Sequence, residues 1–94
     1  MFIINAVLRK KQGKSANRQL HIANKFPAII YGGKKNPVSI ELDRDQIINL
    51  HNKFNLYGKI CILLINSQEN KVKVQAIQFH SFKLQFQHID FLRV

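Results

Sequence analysis

Residues 71–80 read Lys-Val-Lys-Val-Gln-Ala-Ile-Gln-Phe-His, and residues 87–94 read Gln-His-Ile-Asp-Phe-Leu-Arg-Val. Apolar and polar positions alternate in both, the period of a half-buried β-strand. In the first stretch Val72, Val74 and Ala76 point one way, and the apolar phase then slips to Ile77 and Phe79. A slip of one residue is what a β-bulge produces. It places Lys71, Lys73 and Gln75 on the same outer face as Gln78 and His80. In the second stretch His88 and Asp90 are two residues apart, so they share a face opposite Ile89 and Phe91. Two strands therefore turn a chemically varied surface outward while their other face fills a core.

The rest of the chain supplies partners for these strands. Tyr57 to Ile65 is a further strand, followed by the polar turn Asn66 to Asn70. Val38, Ile40 and Leu42 alternate with Ser39 and Glu41, and Asp43 then caps a helix whose Ile47, Leu50, His51 and Phe54 share one face. Phe2 to Leu8 is rich in apolar and β-branched residues and reads as a strand. Gln12-Gly13-Lys14-Ser15 is a loop, with Ser15 as the N-cap of a helix over Ala16 to Asn24, where Ala16, Leu20 and Ala23 fall at helical spacing. Pro27 forbids further helix, Ala28 to Tyr31 is a short strand, and Gly32-Gly33 is a turn. Several strands with two short helices between them give a mainly β (α+β) fold, a barrel with helices at its ends. The 94 residues make one domain, 1–94, without internal repeats.

The formal charge of +10 narrows the partner. Self-repulsion on that scale opposes folding, so the charge serves a polyanion, and nucleic acid is the commonest. The charge is also uneven: no acid precedes Glu41, while Arg9, Lys10, Lys11, Lys14, Arg18, Lys25, Lys34 and Lys35 are eight of the 15 basic residues. The longest apolar run, Ile60 to Ile65, is far too short to span a bilayer. The single cysteine, Cys61, lies within it and allows no internal disulfide, which suits a small core residue in a reducing compartment. The N-terminus is apolar first and basic second, the reverse of a secretory leader, so the cytoplasm is expected.

Three constellations bear on recognition. Lys14, Arg18, His21 and Lys25 follow one another at helical spacing and stack along one side, where lysine and arginine can neutralise phosphates and release counterions. The plainer alternative is a solvated face, which the overall charge weighs against. Lys73, Gln75, Gln78, His88 and Asp90 form a polar sheet face whose amides carry both donors and acceptors and so can read base edges. Asp90 stands out, because a carboxylate avoids phosphates. It either accepts hydrogen bonds from base amino groups or makes a local ion pair with Arg93 or Lys73. Tyr31, beside the glycine turn, either stacks on a base or caps the core.

Catalysis finds little support. His21, His51, His80 and His88 invite an acid/base pair, and His80 and His88 can approach on adjacent strands. Yet there are five acids in all, no metal-ligand spacing and no nucleophile motif, and Gly32-Gly33-Lys34 lacks the residues of a phosphate-binding P-loop. A binding protein without catalytic residues, metal or cofactor is expected, with His51 a partly buried helix residue.

Phe2 to Arg9, Gln12-Gly13-Lys14, Phe26-Pro27-Ala28-Ile29-Ile30-Tyr31-Gly32-Gly33-Lys34, Ile40-Glu41-Leu42-Asp43, Val72-Lys73, Gln75, Ile77-Gln78 and Gln87-His88-Ile89-Asp90-Phe91 closely resemble the short form of the bacterial ribosomal protein L-twenty-five family. The resemblance runs over the whole chain without gaps. Longer relatives, such as the general stress protein Ctc, add a C-terminal domain, and this sequence stops at Val94 without it. The resemblance implies a six-stranded barrel with two or three short helices, akin to the anticodon-binding barrels of glutaminyl-tRNA synthetase. It implies binding to the loop E region of 5S rRNA in the central protuberance of the large ribosomal subunit, beside the other 5S-binding proteins. The positions matching the family's RNA face are Arg9, Lys10, Lys14, Arg18, Tyr31, Gln75, Gln78, His88 and Asp90. Gln19 and His21 stand where relatives often carry arginine, Ser81 where proline often follows the histidine, and Phe79 where a basic residue is common.

The expected protein is thus a ribosomal component, monomeric when free, whose barrel face and first helix grip an irregular RNA helix. Regular A-form RNA hides its major groove from side chains, so readable RNA is distorted. The alternatives are a regulatory barrel that binds tRNA or mRNA, and a membrane-surface or acidic-protein-binding domain. The last requires large apolar residues opposite the basic row, where Ala16 and Ala23 stand.

Overall fold

In the computed structural model the described residues are 2–9, 14–80 and 85–94, with side chains in the first helix described from Arg18 onward. The chain runs β1 (Phe2–Leu8), α1 (Lys14–Ile22), β2 (Lys25–Tyr31), β3 (Val38–Asp43), α2 (Arg44–Phe54), β4 (Ile60–Ile65), β5 (Gln68–His80) and β6 (Gln85–Arg93). The strands close in the order β1-β3-β2-β6-β5-β4, which is the six-stranded barrel expected. Two pairings are parallel, β1 with β4 and β2 with β6, and the other four are antiparallel. Closure leaves no free sheet edge to template association with another chain.

Alternation fills the interior. Ile4, Phe26, Ala28, Ile30, Ile40, Leu42, Cys61, Leu63, Val72, Val74, Ile89 and Phe91 point inward from all six strands. Helix α2 closes one end of the barrel with Ile47 and, just beyond it, Leu56. The Asp43 side chain caps this helix by accepting from the Gln46 N–H at 3.0 Å. Asn55 ends it in the left-handed region, and its N–H donates to the His51 carbonyl. His51 is half-buried, as expected: its Nδ1 accepts from the Leu56 N–H at 3.1 Å, and its ring meets the Phe86 ring edge-on.

Several boundaries differ from the sequence reading. Helix α1 starts at Lys14, so Ser15 lies inside it rather than capping it, and it stops at Ile22. Asn24, at φ 61°, turns the chain directly into β2, which begins at Lys25 and carries Pro27 within it. Pro27 is tolerated near the start of β2, before the pairing with β6 begins at Ala28, where its missing N–H costs at most one ladder bond. Strand β4 begins at Ile60 rather than Tyr57, because Gly58 at φ 77° turns the chain first. The turn before β5 is only Asn66-Ser67, both with positive φ, so Gln68 and Glu69 already pair with β4. The Gln12-Gly13 loop lies outside the described residues.

Cys61 is fully buried, as expected of a core residue, and burial pushes its thiol up to about 11. The raised value favours the neutral thiol in the folded state. This contribution to stability is complete below the ordinary thiol range and is lost as pH rises through about 11. At pH about 8, where an ordinary exposed thiol reacts readily, Cys61 in the folded protein is expected to resist a thiol reagent such as iodoacetamide. It should react fully after denaturation, and rapid labelling without denaturant would contradict its placement.

Candidate nucleic-acid interface

The outer surface of β2, β6 and β5 gathers most of the residues singled out in the sequence. On β6 the buried Ile89 and Phe91 force His88, Asp90 and Leu92 outward. The ladder then fixes their neighbours, because directly paired residues face the same side. Asp90 pairs with Ile29 on β2 and with Ala76 on β5, while His88 pairs with Gln78. Leu92 pairs with Tyr31 on one side and Lys73 on the other. Tyr31, Lys73, Gln78, His88 and Asp90 therefore share one face, and Gln75 is exposed beside them.

The bulge exists, one residue earlier than the alternation suggested. The β5–β6 register shifts between Val74 and Ala76, so Gln75 is the extra residue and Ala76 turns outward beside Asp90 instead of joining Val72 and Val74. Ile77 then faces inward opposite Ile89. A second shift follows Gln78, where Gln87 is the extra residue on β6. Bulges re-aim side chains next to functional surfaces. Here the first one places a short alanine beside the carboxylate, so no long β5 side chain stands over it.

Asp90 does make a local ion pair, but with neither Arg93 nor Lys73. Its Oδ1 lies 2.8 Å from Nδ1 of His88. A carboxylate only accepts, so Nδ1 of His88 is the donor in this contact. Both side chains remain about one-third exposed, 30% and 34%. The free lone pairs of Asp90 can still accept from base amino groups, with the carboxylate held in one orientation by the ring. His80 lies further along β5, paired with Gln85, and not with His88. Among the described residues no group of His, Cys, Asp and Glu is arranged to hold a metal.

The basic row on the first helix is shorter than expected. Arg18 and His21 are exposed on α1, but Lys25 is the first residue of β2 and half-buried. Lys10 and the side chain of Lys14 lie outside the described residues. Leu20 is buried although it is not part of the barrel's interior cluster, so α1 lies on the outside, packed on β2. His21 is held from behind: Nη2 of Arg44 donates to its Nδ1 at 2.7 Å and to the Lys25 carbonyl at 3.3 Å. The guanidinium cannot accept, so His21 Nδ1 is the acceptor and Nε2 bears the outward proton of this ring. Arg9 follows β1 directly, with its N–H donating to the Ser39 carbonyl at 3.0 Å, and sits half-buried two strands from Ile29.

The opposite side of the barrel is different in kind. The outward positions of β4 are Ile60, Ile62 and Leu64, and those of β1 before Arg9 are Ile3, Asn5 and Val7. None of these carries charge. The side chains able to sense bases thus lie where β2, β6 and β5 adjoin, while the β4 and β1 faces are mainly apolar and are bordered by charge only at neighbouring strands, as where Lys71 pairs with Ile62.

The sequence reading missed the role of Arg93. Its Nη1 donates to the Gly32 carbonyl at 2.7 Å and its Nη2 to the Asn36 carbonyl at 2.9 Å, which clasps the β2–β3 loop. Nothing in the local sequence pairs residues so far apart; the parallel β2–β6 ladder does. The reading also passed over Gln87, exposed in the second bulge.

The model of the Ribosomal L25p family matches residues 4–91. The chain belongs to the Ribosomal L25p family. Among curated relatives it is 57% identical over 93 residues to "Large ribosomal subunit protein bL25" of Klebsiella pneumoniae (strain 342), covering 99% of both chains. It is 58% identical over 93 residues to the protein of the same name from Photorhabdus laumondii, again covering 99% of both. With the one from Serratia proteamaculans (strain 568) it shares 56% identity over 94 residues and the full length of each. This Ribosomal L25p chain is therefore a member of a ribosomal structural protein family and not an enzyme. Its four histidines are surface or core-edge groups rather than an acid/base apparatus. No helix among the described residues is long and apolar enough to cross a membrane.

Proposed function

We propose that this chain is a structural constituent of the large ribosomal subunit and binds 5S rRNA, at its loop E region, through the outer face of β2, β6 and β5 together with α1. The cytoplasmic ribosome is its setting, beside the neighbouring 5S-binding proteins. The observation that carries the reading is the coincidence of hydrogen-bonding side chains able to sense bases, Gln75, Gln78, His88 and Asp90, with flanking cations on a single face. Family membership supplies the ribosomal context.

The work divides between two kinds of residue. Arg9, Lys10, Lys14, Arg18 and Lys73 give affinity and register by neutralising phosphates, with His21 beside them on α1. The amides, His88 and Asp90 give selectivity for exposed base edges in an irregular helix. Tyr31, half-buried on the same face, offers its ring to a base or sugar. A regular duplex presents few of these edges, so Asp90 meets mainly phosphates there and acts against binding. Selectivity for a distorted RNA then follows from repulsion as well as attraction.

A salt titration tests the affinity part. If six phosphates are neutralised, log K falls with log salt at a slope of about −4 to −5. Arg18→Ala is expected to weaken every RNA and to flatten the slope by about 1. A slope near zero for the unaltered protein removes the reading. Gel-shift competition between 5S rRNA and bulk tRNA tests the partner: 5S rRNA should displace bound probe at far lower concentration, and equal competition points to a general RNA-binding barrel.

A further inference from the structure

The loop joining β2 to β3 is shaped more tightly than a simple surface connection requires. Gly32 and Gly33 have φ 92° and 67°, and Lys34 follows at φ 60°. A Cβ on Gly32 would lie 2.6 Å from Cδ1 of Leu92 and push that side-chain tip aside, while the positive φ is what calls for glycine. Arg93 lies across Gly33, and its guanidinium donates to the carbonyls of Gly32, Lys35 and Asn36. The Lys35 N–H closes the turn onto the Gly32 carbonyl at 3.5 Å.

Electrostatically the loop is unbalanced. Arg93 is bound by carbonyls, which satisfy its donors without cancelling its charge. Lys34 and Lys35 are exposed, and among the described residues neither has a carboxylate partner. The acid on the adjoining face, Asp90, is already engaged by His88. Two exposed loop cations, Lys34 and Lys35, thus stand beside the Arg93 guanidinium of β6, which clasps the loop backbone. Holding them together costs Coulomb energy, which an anion seated on the loop recovers.

Position decides which anion. The loop continues directly from Tyr31, at the end of β2 opposite to the end where α1 enters it. Asp90 is level with Ile29, and Tyr31 ends β2 two residues further on, about 7 Å along the strand at about 3.3 Å per residue, where the turn carrying Lys34 and Lys35 begins. We propose that the β2–β3 loop is a second phosphate-binding element for the RNA, presented by Lys34 and Lys35 and held in place by Arg93 as a positioning residue. The base-reading face is then flanked by cations at both ends, α1 at one and this loop at the other. The proposal rests on the RNA-binding reading above and extends its footprint.

The test is a salt titration of binding to a 5S rRNA fragment, using Lys34→Ala/Lys35→Ala and Arg93→Lys separately and combined. The two loop lysines are exposed, so the double variant is expected to keep the wild-type unfolding midpoint. Its slope should be shallower by about 1.4–1.8, at 0.7–0.9 per phosphate. Its disadvantage against wild type should accordingly shrink about 7–12-fold from about 50 to about 200 mM salt. Arg93→Lys keeps the charge but loses the planar fork that spans the carbonyls. It should flatten the slope in the wild-type background and add little in the double-variant background. A steep wild-type slope left unchanged by the double variant overturns the loop proposal alone, whereas a wild-type slope near zero overturns the RNA reading itself. An equal effect of Arg93→Lys in both backgrounds overturns the positioning role.

Discussion

Phe86→Ala is expected to lower the unfolding free energy by about 3–5 kcal/mol, the range for removing a buried aromatic ring. Phe86 is 2% exposed and stands where four elements meet. It stacks on Phe26 of β2 with ring centroids 5.6 Å apart, and meets Phe79 of β5 edge-on at 5.1 Å. His51 of α2 contacts its ring edge-on at 5.6 Å. The ring therefore joins the closing helix to the barrel wall. A domain of this size has about 5–14 kcal/mol in all, so the loss is about a fifth of the stability or more. Thermal unfolding should move down by at least about 12 °C. A shift below about 4 °C would mean that α2 does not close this end of the barrel. Phe79→Ala, at a position 45% exposed, should cost clearly less.

Asp90→Ala is expected to weaken binding to the cognate 5S rRNA by about 5- to 150-fold, equivalent to the 1–3 kcal/mol of a well-placed base contact. The salt slope should not become shallower, because a carboxylate neutralises no phosphate. Binding to random duplex RNA should hold or improve, since a like charge leaves the face. The sign of the second effect separates base readout from a structural role. If Asp90 only supported the fold, its removal would weaken cognate and random RNA equally. Because the two side chains share a 2.8 Å contact, His88→Ala and Asp90→Ala are expected to be non-additive on the cognate RNA.

The alternation of residues 71–80 and 87–94 was enough to place His88 and Asp90 on an outer face, because burial of Ile89 and Phe91 leaves them no other side. The phase slip was legible too, but its position was not. Alanine is small enough to sit on either face, so the pattern admitted Ala76 as the last inward residue, and only the pairing with Asp90 decides against it. Lys25 shows the converse limit. Its spacing from His21 fits a helix, yet Asn24 turns the chain and the strand register with Asp43 claims it. Tertiary pairing overrode a local period in both cases. The Arg93 clasp depends on β2 and β6 running parallel side by side, a property of topology that no local spacing encodes. The ion pair of Asp90 was open among Arg93, Lys73 and bases; a residue two positions away on the same strand, His88, took it.

The physical claim beneath the account is that recognition belongs to one side of the barrel. The wall of β2, β6 and β5 combines cations, amides and an oriented carboxylate, while the outward positions of β4 and of β1 before Arg9 hold no charge. Titrating isotopically labelled protein with a 5S rRNA fragment, and following each backbone amide by NMR, tests this most directly. The account predicts large shifts at Tyr31, Lys73, Gln75, Gln78, His88 and Asp90, with Ile3, Ile62 and Leu64 unmoved. Shifts centred on Ile3, Ile62 and Leu64, with the His88 and Asp90 amides unmoved, would contradict it.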